Sequence, residues 1–373
     1  MIYLDYSANT PADPAVLDAF VRAEAAFAGN PNSTHPAGQA ARAELAAATE
    51  RIAALLGANP AEVIYTSGAS EANNLAVKGI AQAARRAGKH IISTPLEHAS
   101  ASGCLNYLQD KGWEIDLLDV GRDGRIDLEQ LRDLLRSDTV LVAVSWVDSE
   151  LGTVQPIGEI IEILRDYPNC RLHVDATQAV GKIPVSFAGI DTMSVAPHKF
   201  YGLNGSGLLL KRRGVEIEPL IHGGAGATDY RSGTPTLALA VAAARALELA
   251  VGELESRAEI VRAHNARLRA ELGKYPEVRF NSPAGAVPHI LNLGVRGVKA
   301  TAFQRALSER GVCVSVKSAC STEGTPSKAV QAVTQDRKNA LSSWRISLSH
   351  RTTDQELTEF MQIFDACYGE LVK

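Results

Sequence analysis

The chain has 373 residues, 46% of them hydrophobic and 21% charged, with a formal net charge of -4. That is the balance of a soluble globular protein large enough for two domains, and without a basic run or stripe it speaks against a nucleic-acid surface. No apolar stretch reaches the roughly 18 residues that a membrane span needs, and the N-terminal "MIYLDYSANTP" has neither the basic start nor the apolar run of a secretory signal.

From about residue 40 to 210, helical and strand patterns alternate. "AARAELAAATERIAALLG" reads as a helix ending at Gly57, "EVIYTSG" as a strand running into a turn, and "EANNLAVKGIAQAARRAG" as the next helix. "HIISTP", "WEIDLLDV", "TVLVAVSWV", "CRLHVDA", "TMSVA" and "GSGLLLKR" are apolar runs of strand length. Runs apolar on both faces predict a mainly parallel sheet covered by helices on each side. Residues 235–273 read as one long helical region, rich in Ala, Leu and Glu. Then the rhythm changes to "HILNLGV", a helix "TAFQRALSERG", "VCVSV", "SWRISLSH" and a final helix capped by Thr352 or Thr353. The expected organisation is a large α/β domain over 15–250 and a smaller α+β domain over 251–373, joined by residues 1–14.

Five cysteines, at 104, 170, 313, 320 and 367, are scattered without a CxxC pair, so neither a disulfide framework nor a zinc site is expected. A reducing cytoplasm is the expected compartment, where a special cysteine does chemistry rather than holding structure.

In open parallel sheets, ligands sit outside the carboxyl ends of the strands. Three features follow strands in that way. "YTSGASEANN" places the backbone N–H groups of Gly68, Ala69 and Ser70, with the Ser70 hydroxyl, at a helix start suited to an anion; the alternative is that Ser70 is only an N-cap. "HVDATQAVG" puts Asp175 at a strand end, as a metal ligand, a cap, or the partner of a cationic ring nitrogen. "SVAPHKFYGLNGSG" puts Lys199 at another. An anion cradle, a strand-end Asp and a strand-end Lys, in that order, suit pyridoxal phosphate. The first takes the phosphate, the second the pyridine nitrogen, and the lysine the aldehyde as an imine. A lysine in such a pocket has its pKa lowered, which readies it for that bond and for proton transfer.

The chain resembles the cysteine desulfurases of the class V aminotransferase superfamily, on the NifS/IscS-like branch. The likeness runs nearly end to end, through "YLDYSANTPADPAVL", "GNPNSTHPAGQAAR", "VIYTSGASEANNLAVKG", "PLEHASA", "ELGTVQPI", "HVDATQAVGKIPV", "HKFYGLNGSG", "RSGTP", "SACS" and "WRISLSHRTT". It implies the fold type I architecture of pyridoxal-phosphate-dependent transferases. It also implies that Lys199 binds the aldehyde, Asp175 pairs with the ring nitrogen, Gln178 bonds the ring oxygen, and His98 stacks on the ring. Ala69 and Ser70 bind the phosphate, with His198 beside the lysine and Ser149 near the cofactor. Thr234 reaches the phosphate from a second subunit, so the family is a homodimer with shared sites.

Arg345, in "SSWRISLSH", matches the family's clamp for a substrate carboxylate, which a guanidinium fork grips bidentately. Cys320, in "VKSACSTEGTPSK", matches the cysteine that takes sulfur from the substrate. The Ser, Thr, Gly and Pro after it suit an exposed loop, whereas Cys313 sits in an apolar run. Cys320 stands 25 residues before Arg345, the spacing of the longer cysteine loop. The implied reaction turns L-cysteine into L-alanine and a Cys320 persulfide. That sulfur passes to an acceptor protein such as an iron–sulfur scaffold or a tRNA-thiolation enzyme. The alternatives are a selenocysteine lyase, a cysteine β-lyase, an aminotransferase, or a scaffold with a degenerate site.

Four departures stand out. Ser149 replaces a usual Asn, and Ala196 replaces a usual phosphate-binding Ser. Gly226, Ala227 and Thr228 replace Gln-Glu-Arg, and Lys317 stands where Gly often precedes "SAC". Each hydrogen bond lost to a charged group is worth about 1.5–3 kcal/mol, so weaker cofactor binding is expected unless other groups compensate.

Overall fold

The structure is a computed structural model that describes residues 1–224, 228–317 and 325–372. Its strands are β1 (Ile2–Tyr3), β2 (Val63–Thr66), β3 (His90–Ser93), β4 (Glu114–Leu117), β5 (Thr139–Ser145), β6 (Arg171–Asp175), β7 (Thr192–Val195), β8 (Gly207–Lys211), β9 (Val278–Phe280), β10 (Ile290–Val295), β11 (Val312–Cys313) and β12 (Ser343–Ser347). Seven of them form one sheet in the order β2-β8-β7-β6-β5-β3-β4. Only β8 runs against the others, antiparallel to both β2 and β7.

Strand β5 shows why this sequence makes a covered sheet. All its residues are buried, and from Leu141 to Val144 their side chains alternate between two cores. Val142 and Val144 pack with the helices Pro36–Leu56 and Leu237–Gly252. Leu141 and Ala143 pack with Ala69–Ala84 and Ala99–Asp110. Edge strand β4 departs from the expectation of two covered faces: Glu114 and Leu117 are exposed, because it has a neighbour on one side only.

The helical region expected as one piece is two helices, Leu237–Gly252 and Leu254–Leu272, broken at Glu253. Gly252 is a poor helix former, and the two pieces serve different cores. The first, rich in Ala and Leu, packs on the large sheet, whereas Val261, Leu268 and Leu272 of the second join another cluster. That cluster is built on Phe303, Trp344, Phe360 and Phe364 over the antiparallel sheet β12-β10-β9. Ile2 and Leu4 pack into it, and β1 pairs with β11. Thr353 closes a capping box with Glu356 at the final helix. Among the described residues, no helix is long and apolar enough to cross a membrane.

Candidate active site

The site forms at the carboxyl edge of the sheet, where Ser145, Asp175 and Ser194 are register neighbours on β5, β6 and β7. The turn after β2 folds over this edge. Gly207 on β8 permits it, because a Cβ there would lie 2.5 Å from the Cα of Gly68. The helix then starts at Ala69 with Gly68 as N-cap, so Ser70 is inside the first turn and is not the cap. First-turn N–H groups lack acceptors within their helix, which is the basis of anion binding there.

A cavity of about 370 Å³ opens at this edge, and Ala69, Ser70, His98, Ser149, Asp175, Gln178, His198, Lys199 and Arg345 all line it. Thr234 does not. It is exposed and lines a neighbouring cavity with Tyr65, Ser67, Thr228 and Arg231. Cys320, Gly226 and Ala227 lie outside the described residues.

Asp175 is buried, and both of its oxygens are held. Oδ1 accepts from the Thr177 N–H at 2.9 Å and Oδ2 from Asn73 Nδ2 at 2.7 Å. Asn73 is fully buried; its Oδ1 also meets His173 Nε2 at 3.0 Å and accepts from the Ser194 hydroxyl at 2.5 Å. Burial pushes the His173 imidazole down to about 4, so this network is neutral apart from the carboxylate it positions.

Lys199 ends a short turn, Pro197–Lys199, and its Nζ donates to the carbonyls of Ser7 at 3.0 Å and Ala8 at 2.6 Å. The same N-terminal segment braces the turn. The N–H and hydroxyl of Thr10 both donate to the His198 carbonyl, at 3.0 and 2.9 Å. The Tyr201 N–H donates to the Thr10 hydroxyl at 2.7 Å. Tyr201 adopts φ 68°, a left-handed conformation that costs energy for a bulky residue. The guanidiniums of Arg351 and Arg257 both lie against its ring, with their Cζ atoms 4.7 and 5.2 Å from the ring centroid.

His98 caps the helix Ala99–Asp110, its Nδ1 accepting from the Ser100 N–H at 3.2 Å. A backbone N–H can only donate, so neutral His98 carries its proton on Nε2. Burial lowers its pKa, against the opposing pull of Asp175. His198 is pushed down to about 4, by burial first and then by the cations Lys199 and Lys182. Arg345 is buried; its Nη2 pairs with Asp5 Oδ1 at 2.9 Å and its Nη1 donates to the Ser149 carbonyl at 2.6 Å.

Buried polar atoms without a hydrogen-bond partner among the described residues collect on this cavity's lining: Ser7 Oγ, Thr177 Oγ1, Gln178 Oε1, His198 Nδ1 and Arg345 Nε. Unpaired buried groups are rare in folded proteins, and a cluster of them facing one space fits a polar ligand. A helix start, a held carboxylate, a lysine amine and a guanidinium around such a space fit pyridoxal phosphate and an amino acid. Sequence reasoning missed Asn73, Ser7, Thr10 and Asp5. Asn73 alone left a signal, as a polar residue sharing a helix stripe with the apolar Ala76 and Val77.

Fold and site together define a pyridoxal-phosphate-dependent enzyme of fold type I. The chain belongs to the aminotransferase class-V family, which matches residues 2–360. It is 37% identical over 379 residues to a NifS/IscS protein homologue of Lactobacillus delbrueckii, covering 100% of this chain and 98% of that one. It is 35% identical to the cysteine desulfurase IscS of Dictyoglomus turgidum, covering 99% and 95%. The solved structure of a NifS-like protein superposes with a TM-score of 0.93, over 99% of this chain and 100% of that one, at 32% identity.

Proposed function

We propose that the protein is an L-cysteine desulfurase that converts L-cysteine to L-alanine and leaves the sulfur as a persulfide on Cys320. The observation that carries this reading is the meeting of Lys199, Asp175, the helix start at Ala69–Ser70 and Arg345 around one cavity. The chain around that cavity matches cysteine desulfurases over nearly its whole length.

Asp175, fixed by Asn73 and Thr177, would hold the pyridine nitrogen, and its charge favours that nitrogen's protonated form. The first-turn N–H groups of Ala69 and Ser70 would hold the phosphate, Gln178 the ring oxygen, and His98 a ring face. Ser149 and His198 complete the wall. Bound pyridoxal phosphate supplies an electron sink that acidifies the substrate Cα–H and loosens its Cβ–S bond. Arg345 orients the substrate carboxylate through its Nε–H, which has no partner among the described residues, while Asp5 and the Ser149 carbonyl fix the plane of the guanidinium. Lys199 Nζ, steered by the carbonyls of Ser7 and Ala8, takes the Cα proton and returns one to the product. The Cys320 thiolate attacks the substrate sulfur. An S–S bond forms as the C–S bond breaks, and the electron pair of that bond ends in a C–H bond of alanine. Cysteine and a thiol thus become alanine and a persulfide with no outside oxidant.

Two domains, 15–250 and 251–373 with 1–14, are supported by the separate clusters about β5 and about Trp344, the second of which takes in Ile2 and Leu4. A homodimer with shared sites is supported by Thr234, which lines a cavity other than that of Lys199, and by the exposed Leu220 and Ile221 in the same part of the chain. Delivery of sulfur to an iron–sulfur scaffold or a tRNA-thiolation enzyme in the cytoplasm completes the reading.

The test is to incubate purified protein with L-cysteine and a reductant and to measure sulfide and alanine together. Equal amounts from the wild type and neither from Cys320→Ala are expected. Pyruvate with ammonia would replace this reading by a β-lyase.

A further inference from the structure

A second, far smaller cavity of about 20 Å³ shares Lys199 with the first. Lys182, Arg257, His289 and His350 contribute to its wall, and no carboxylate does among the described residues. Arg257 is committed elsewhere, to Glu253 at 3.0 Å and to the ring of Tyr201. Lys182 and His289 are not. Both are at least nine-tenths buried, and Lys182 Nζ and His289 Nδ1 have no hydrogen-bond partner among the described residues.

A buried ammonium without an acceptor is costly, and it must either give up its proton or gain a counterion. Burial, then the nearby charges of Lys199 and Arg345, push Lys182 down to about 7 when nothing else is present. Protonation is thus within reach of a modest stabilising contact. Burial and the charges of Lys182 and His350 keep His289 neutral, down to about 3, so in the tautomer protonated at Nδ1 it offers the cavity an N–H rather than a charge. The space holds one atom-sized guest. Its size favours a monatomic anion over a carboxylate, a sulfate or a phosphate.

We propose that this cavity binds a single monovalent halide-class anion, held between the Lys182 ammonium and the Nδ1–H of His289. An occupant there offsets the Lys182 charge that acts on Lys199, which makes the site a neighbour of the reacting amine. It is independent of which amino acid the enzyme consumes.

The test uses the protein loaded with pyridoxal phosphate. Crystals grown with bromide in place of chloride should show an anomalous peak within bonding distance of Lys182 Nζ and His289 Nδ1. Thermal melts at pH 7 and constant ionic strength should show Tm climbing with the logarithm of chloride or bromide concentration, and no rise with gluconate or sulfate. The halide-dependent rise should vanish in Lys182→Met and in His289→Leu, whatever their own Tm. Bromide-containing crystals with no anomalous peak in this cavity would overturn the proposal, whether water or nothing fills it. So would a halide-dependent Tm rise that both variants retain. The wild-type crystal result decides the matter even if a variant folds poorly.

Discussion

The two cavities that meet at Lys199 are built on opposite principles. In the large one, charges face partners: Asp175 has bonds on both oxygens, Arg345 is pinned by Asp5, and Glu71 by Arg231. In the small one, cations gather, and Lys182 Nζ has no partner among the described residues. Pre-arranged charge next to a reacting amine is useful because it costs no reorganisation during the reaction. Unpaired charge behind it is a cost that only a bound guest or a lost proton removes.

The comparison can be broken most severely at the shared residue. Lys199→Ala should lower desulfuration by at least about 10²–10⁴-fold, the usual worth of a positioned acid–base group, and abolish the visible absorbance of the lysine-bound cofactor, read in a spectrophotometer. Asn73→Ala should come next. It strips a bond from Asp175 and leaves His173 and Ser194 without their shared acceptor, at about 1–3 kcal/mol for each orphaned group. The expected result is a lower Tm together with faster loss of cofactor on dialysis. Arg345→Lys should raise KM for cysteine about tenfold or more while changing kcat less, because an ammonium cannot replace the fork that grips a carboxylate; steady-state kinetics separates the two.

Asp148 sharpens the contrast, because it has the small cavity's defect in an acid. It is fully buried; Oδ1 accepts from the N–H groups of Glu150 at 3.0 Å and Leu151 at 2.5 Å, and Oδ2 has no partner among the described residues. Burial first, then the charge of Glu150, push its pKa from 3.8 up to about 7. A carboxyl raised on folding lends stability that is complete below its unfolded pKa and is lost as pH rises through the folded value. Wild-type unfolding free energy should therefore fall between pH 5 and pH 8 by about a few kcal/mol more than that of Asp148→Asn, on the order of the shift itself, as read from denaturant melts at the two pH values. The smallest effect belongs to the wall of the small cavity. Tyr201→Phe removes the hydroxyl bond to Ser349 at 2.5 Å, while both cation–ring contacts remain. It should cost about 1 kcal/mol, seen as a Tm lower by about 1–2 °C.

Strand β5, and a cap at Thr352 or Thr353, were plain in the sequence because each depends on residues adjacent in the chain; the structure places the cap at Thr353. The break at Glu253 was not. A long stretch of good helix formers gives no local sign that its halves belong to different cores. Ser70 looked like a cap because capping residues favour helix starts, yet Gly68 takes that place where the turn meets Gly207.

By itself the sequence determined the order of the elements, the strand-end positions of Asp175 and Lys199, and the presence of a glycine-bearing helix start. These are matters of periodicity and local chain chemistry. Tertiary structure alone decided that Ser7 and Ala8 hold the lysine amine, that Asn73 holds the acid, and that Lys182 and His289 face a common void. Those contacts join residues far apart in the chain. Their energies depend on burial and on distances of about 3 Å, the scale of a hydrogen bond, and no reading along the chain can measure either.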